Sequence, residues 1–90
     1  MPSDAPTWIT EQRRNLGGRI RDLRLYANCT QERFAEITGI DRRTLQRIER
    51  GESDPRYGHL LRIAAALDID VAALVTAPRS SAAGEADERG

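Results

Sequence analysis

Five residues within a stretch of nine could make directional hydrogen bonds to a polyanion: Arg42, Arg43, Gln46, Arg47 and Arg50. A guanidinium holds its donors in a fixed plane and can fork onto two acceptors at once, such as two phosphate oxygens or the O6 and N7 of guanine. A glutamine amide sets a donor beside an acceptor, the pattern that matches adenine. On a helix advancing about 100° per residue, with Arg42 at zero, Gln46 falls near about 40°, Arg50 near about 80°, Arg43 near about 100° and Arg47 near about 140°. Thr44, Leu45, Ile48 and Glu49 fall between about 200° and about 340°, on the other side. Residues 42–50 are therefore predicted to form a helix with an apolar inner face and a basic outer one. Most charged helical faces are simply solvated. This one carries a single sign and no balancing acid.

The chain as a whole gives no such bias. It has 90 residues, 14 Arg with no Lys, and 14 Asp and Glu, so its formal charge is zero. The use of Arg alone fits a GC-rich genome, and only the clustering is informative. The length predicts one domain with a small core. Cys29 is the only cysteine and His59 the only histidine. There is no nucleophile motif, metal-ligand cluster or glycine-rich phosphate loop, so neither catalysis, nor a cofactor, nor a metal is expected. Cys29 is read as a small buried hydrophobe, and His59 as a solvated residue at a helix start. No apolar run approaches about 18 residues, and no secretory leader is visible. No membrane association is expected, and the cytoplasm is the expected compartment.

The elements that must position the basic face are helical. Residues 1–9 read as a loose arm containing Pro2 and Pro6, and residues 77–90 as a disordered tail of Ser, Ala, Gly and charge. Residues 10–76 form the predicted domain. Leu16, Ile20 and Leu23 share a helix face, and that helix is expected from near Thr10 to Tyr26 or Ala27. Asn28 suits the left-handed position after a helix. Thr30 suits the N-cap of a second helix, 31–38, with Phe34, Ala35 and Ile37 as its apolar residues. Gly39 makes the turn, Asp41 caps the third helix, and Gly51 ends it. A fourth helix is expected near 57–67, with Leu60, Ile63, Ala64 and Leu67 inward. Asp70 is expected to cap a short fifth helix through Val71, Leu74 and Val75. The fold class is all-α, with five helices and no strand.

Residues 30–51, TQERFAEITGIDRRTLQRIERG, have the parts of a helix–turn–helix. With the Arg21-x-x-Arg24 end of the first helix, Thr30-Gln31, Ala35, Gly39-Ile40, Ile48-Glu49-Arg50-Gly51, Pro55 and Leu60-x-x-Ile63-Ala64-x-x-Leu67, the chain resembles the lambda-repressor and Cro type of helix–turn–helix, the xenobiotic-response-element-like regulators of bacteria and phages. The resemblance spans about two-thirds of the chain, and these motifs together are more specific than any one alone. Cys29 departs from it, standing where such regulators usually have Leu.

The resemblance implies a compact lambda-repressor-like domain whose third helix enters the major groove of double-stranded DNA. Arg42, Arg43, Gln46 and Arg47 then become base-contact candidates. Thr30, Gln31 and Arg50 become phosphate contacts, with Arg19 and Arg33 as further backbone candidates. It also implies a salt bridge between Arg24 and Glu49, since a buried carboxylate needs a partner. Such regulators usually bind pseudo-palindromic operators as dimers. Ile69 and Val75 are the interface candidates, with Trp8 and Ile9 as a second possibility. The implied role is a transcriptional regulator, as repressor or autoregulator. The rival reading is a protein-directed one: an antitoxin, or the controller of a restriction–modification system.

Overall fold

The computed structural model describes residues 6–76 of the chain. The expected tail, 77–90, and the first five residues of the expected arm lie outside that range. Five α-helices follow one another: α1 (Thr7–Tyr26), α2 (Gln31–Thr38), α3 (Arg42–Glu49), α4 (Tyr57–Leu67) and α5 (Val71–Val75). There is no strand among the described residues.

α1 begins at Thr7, three positions before the expected start, so residues 7–9 are helical and not part of an arm. The reason is Pro6. It has no N–H to pair, its φ is −60°, and it sits in extended backbone as the N-cap. Its carbonyl accepts from the backbone N–H groups of Ile9 (3.0 Å) and Thr10 (3.2 Å), which closes the first turn. At the other end Asn28 takes the left-handed conformation with φ +58°.

α2 and α3 are each eight residues long and capped by side chains. Thr30 Oγ1 accepts from the Arg33 backbone N–H at 3.0 Å. Asp41 Oδ2 accepts from the Thr44 N–H at 3.2 Å, while the Thr44 hydroxyl donates to Asp41 Oδ1 at 2.6 Å. Those bonds stabilise the charged form, so the Asp41 carboxyl is held below its ordinary value, chiefly by the Thr44 hydroxyl. Gly39 between the helices has φ +74°, a conformation that strains any residue with a Cβ. Asp70 holds the N-cap position of α5 without a side-chain cap bond, contrary to the expectation.

The core is Ile20, Phe34, Ile40, Leu45, Ile48, Ile63, Ala64 and Leu74. Each large side chain contributes about 1.5–3 kcal/mol on burial. Leu16, Leu23, Ala35, Leu60, Leu67 and Val71 pack around it, half-buried. Ile37 departs from the expected pattern. It is 49% exposed, and Thr38 is buried in its stead. On so short a helix the inward row runs through Phe34 and Thr38, four apart. Thr38 satisfies its hydroxyl locally, donating to the Phe34 carbonyl (2.8 Å) and accepting from the Ile40 N–H (3.2 Å). α3 packs on α1 and α2, and α4 on α2 and α5. The helix carrying the basic face is thus held from two sides.

Candidate nucleic-acid interface

α3 turns Leu45, Ile48 and Glu49 inward, where all three are buried. Arg42, Arg43, Arg47 and the C-cap Arg50 are exposed, and Gln46 is half-buried at the edge of the same face. None of the ion pairs among the described residues uses Arg42, Arg43, Arg47 or Arg50. The only acid within 42–50, Glu49, faces the interior. A chain with no net charge therefore presents four unpaired guanidinium groups on one face of one short helix.

Behind that face lies the Arg24–Glu49 pair. Arg24 Nε donates to Glu49 Oε2 at 2.7 Å, and Nη2 donates to Oε1 at 3.0 Å. Both side chains are nearly inaccessible, at 7% and 2%. Arg24 Nη1 donates to the Cys29 carbonyl at 2.7 Å. One guanidinium thus ties together the end of α1, the approach to α2 and the end of α3. Gln31, the first residue of α2, is half-buried and reaches the same carboxylate. Its Nε2 donates to Glu49 Oε1 at 3.0 Å, and its Oε1 accepts from Gln46 Nε2 at 3.2 Å.

Of the remaining candidates, Thr30 is exposed at the start of α2 with its hydroxyl engaged in capping. Thr30, Gln31 and Arg42 line one open groove, together with Arg24 and Cys29. Arg33 is exposed and pairs with Glu36 at 3.1 Å, and Arg19 is half-buried. Ile69 is half-buried against the core and Val75 is 49% exposed. Trp8 is 64% exposed. Cys29 is half-buried, packed against the core. His59 is half-buried, not solvated. No three His, Cys, Asp or Glu side chains among the described residues could hold a metal ion together. No helix among those residues is long and apolar enough to cross a membrane.

Two supports of the interface had no counterpart in the sequence reading. Gly17 of α1 lies against the last turn of α3. A Cβ there would stand 2.3 Å from the Ile48 carbonyl oxygen and 2.6 Å from that of Glu49. Only a residue without a side chain allows α1 and α3 this close. The signal available was the pair Gly17-Gly18 inside a helical pattern, which often marks a packing requirement. The second support is Arg13, which grips Asp54 with both its Nε and its Nη2 and so ties α1 to the loop after α3. The guanidinium holds the Asp54 carboxyl below its ordinary value.

The profile of the Helix-turn-helix family matches residues 20–74 of the chain. The chain belongs to this family of DNA-binding transcriptional regulators. It is 32% identical over 68 residues to the HTH-type transcriptional regulator SutR of Escherichia coli K12. That match covers 76% of this chain but only 38% of the relative. Among solved structures it resembles the restriction–modification controller protein C.AhdI from Aeromonas hydrophila, at 33% identity and TM-score 0.66. The similarity spans 71% of this chain and 96% of the controller. It also resembles the hypothetical transcription factor NHTF from Neisseria, at 25% identity and TM-score 0.72, over 90% of this chain and 92% of that one. The all-helical fold is the one expected from the helix–turn–helix resemblance.

Proposed function

We propose that this protein is a sequence-specific DNA-binding transcriptional regulator, acting in the cytoplasm as a repressor or autoregulator. It sets α3 in the major groove of a pseudo-palindromic operator and binds as a homodimer. The observation that carries the reading is the face of four unpaired arginines on α3, braced from behind by the buried Arg24–Glu49 pair. Arg42, Arg43, Gln46 and Arg47 contact base edges, with the arginines favouring guanine. Thr30, Gln31 and Arg50 contact phosphates and set the register. The N-terminal end of α2, with its free N–H groups and favourable dipole, suits a phosphate near Thr30 and Gln31.

A second copy would pack through the end that carries Ile69 and Val75, and the two reading helices would then address half-sites about 34–36 Å apart. The half-exposed Val75 supports that choice. Selection of bound sequences from random DNA tests the reading as a whole. The expected product is a pseudo-palindrome with guanine in each half-site, and a pool without enrichment would refute it. A monomer by sedimentation, at high concentration and on DNA alike, would refute the dimer.

One observation favours a more specific role. The likeness to C.AhdI runs over 96% of that controller's length. The second reading is therefore the controller of a restriction–modification system. A restriction–modification operon beside the gene would favour it, and binding to that operon's promoter would decide it.

A further inference from the structure

The hydrogen bonds around Gln31 have a direction that follows from chemistry. An ionised carboxylate only accepts, having no hydrogen to give. Glu49 Oε1 already takes Arg24 Nη2 at 3.0 Å, and it takes the Gln31 side chain at 3.0 Å as well. Gln31 must therefore turn its Nε2 inward and its Oε1 toward α3. That oxygen also only accepts, so Gln46 must meet it with its own Nε2, at 3.2 Å. The order Arg24, Glu49, Gln31, Gln46 is fixed from the buried end outward, and no amide in it can be reversed without setting like groups against each other. Gln46 keeps its Oε1 and one Nε2 hydrogen free of side-chain partners among the described residues. Its neighbours on that face are the arginines.

We infer that the buried Arg24–Glu49 pair acts through Gln31 as a positioning device for Gln46, fixing which way round its amide meets a base and so setting a preference for adenine at one position of the half-site. The inference rests on the reading of α3 as the base-contacting helix. Adenine offers an acceptor, N7, beside a donor, N6, and the free N–H and Oε1 of Gln46 match that pair. Guanine offers two acceptors, O6 and N7. An unrestrained glutamine could turn its amino group toward them. Gln46 cannot, because one of its hydrogens is committed to Gln31 and its oxygen is held outward. Glu49 and Gln31 are thus positioning residues for specificity, in addition to any part they play in stability or phosphate contact.

The test compares affinities of one protein for two DNA duplexes, so that a change in stability cancels. The intact chain is used, on a site selected from random DNA, and the base pair facing Gln46 is located as the one whose preference Gln46→Ala abolishes. Adenine and guanine versions of that pair are then measured with wild type, Gln31→Met and Glu49→Gln. A bidentate contact discriminates by about 5-fold to about 150-fold. Wild type is expected to favour adenine within that range, and Gln31→Met to reduce the preference by roughly tenfold, while the guanines read by the arginines stay selected. An unchanged adenine-to-guanine ratio in Gln31→Met, or an equal loss on both duplexes, overturns the relay and leaves Gln31 a backbone anchor. Absence of any adenine preference in wild type also overturns it, with guanine reading still standing. A wild type that binds all sequences alike removes the base-reading account itself, and the relay with it. Should Glu49→Gln fail to fold, Gln31→Met carries the test alone, since Gln31 is only half-buried at a helix start.

Discussion

Replacing Gly17 by Ala should loosen the joint between α1 and the reading helix, and replacing its neighbour should not. The added Cβ at 17 would stand 2.3 Å from the Ile48 carbonyl oxygen, 2.6 Å from the Glu49 oxygen and 2.9 Å from the Glu49 carbonyl carbon. Van der Waals contact needs about 3.5 Å, so the helices must part by roughly an ångström. All three atoms are backbone, and no side chain can swing away to relieve the clash. Overpacking of this kind costs about 1–3 kcal/mol, occasionally more. Alanine also brings a gain over glycine inside a helix, about 0.5–1 kcal/mol. The net expectation for Gly17→Ala is a loss of about 2 kcal/mol, or a Tm roughly 10 °C lower for a domain of this size. At Gly18 a Cβ would meet nothing within 4 Å. Gly18→Ala keeps only the propensity gain and should raise Tm by a few degrees, on the order of 4–8 °C per kcal/mol. Thermal unfolding followed by circular dichroism at the helical band compares the pair. A Gly17→Ala protein as stable as wild type, or a Gly18→Ala protein equally damaged, would show that close approach of α1 to α3 is not what the glycine serves.

Other outcomes follow from the same contacts. Glu49→Ala leaves the Arg24 guanidinium buried without its carboxylate and should cost about 3–5 kcal/mol; a Tm equal to wild type in the same melt would contradict the brace. Arg50→Ala should weaken binding to all DNA sequences alike and lower the slope of log affinity against log salt by about 0.9, whereas Arg43→Ala should lose about 1–3 kcal/mol of discrimination at one base pair. The reverse assignment, seen in binding isotherms at several salt concentrations, would exchange their roles. Asp41 and Asp54 both have carboxyl groups held below the ordinary value of 3.8, by Thr44 and Arg13 respectively. For both, the unfolded chain takes up its proton first as pH falls, so the stabilisation is complete above about pH 4 and is lost as pH drops through the lowered folded values. Urea unfolding across pH 2–5 should show this loss, and Asp54→Asn should flatten it; an unaltered profile in Asp54→Asn would assign the acid sensitivity to other groups.

Helix boundaries and the division of α3 into two faces were legible because both depend on local rules. Side-chain caps at Thr30 and Asp41, left-handed residues at Asn28 and Gly39, and the angular spacing of Arg42, Arg43 and Arg47 need only a few neighbouring residues. The start of α1 was misjudged because apolar spacing was followed past Pro6, a better local marker of a helix beginning. Ile37 was placed inward on hydrophobicity alone, although Phe34 already fixes the inward row one position later, at Thr38. What stayed hidden was contact between elements. Gln31 and Gln46 are 15 residues apart and Arg13 and Asp54 are 41 apart, and no periodicity joins residues on different helices. The Arg24–Glu49 pair came into view only through the family resemblance, since a buried carboxylate calls for a cation without saying which.

The central claim, that the arginines of α3 read guanine from the major groove, is tested most directly by methylation interference on a selected site. Methylation at guanine N7 blocks the acceptor that a forked arginine needs, and it lies in the major groove. The account predicts that methylation of specific guanines in each half-site prevents binding by the wild-type protein, and that one of those guanines ceases to matter in Arg43→Ala and another in Arg47→Ala. Binding that tolerates N7 methylation at every guanine, or an interference pattern identical in both variants and wild type, would contradict it.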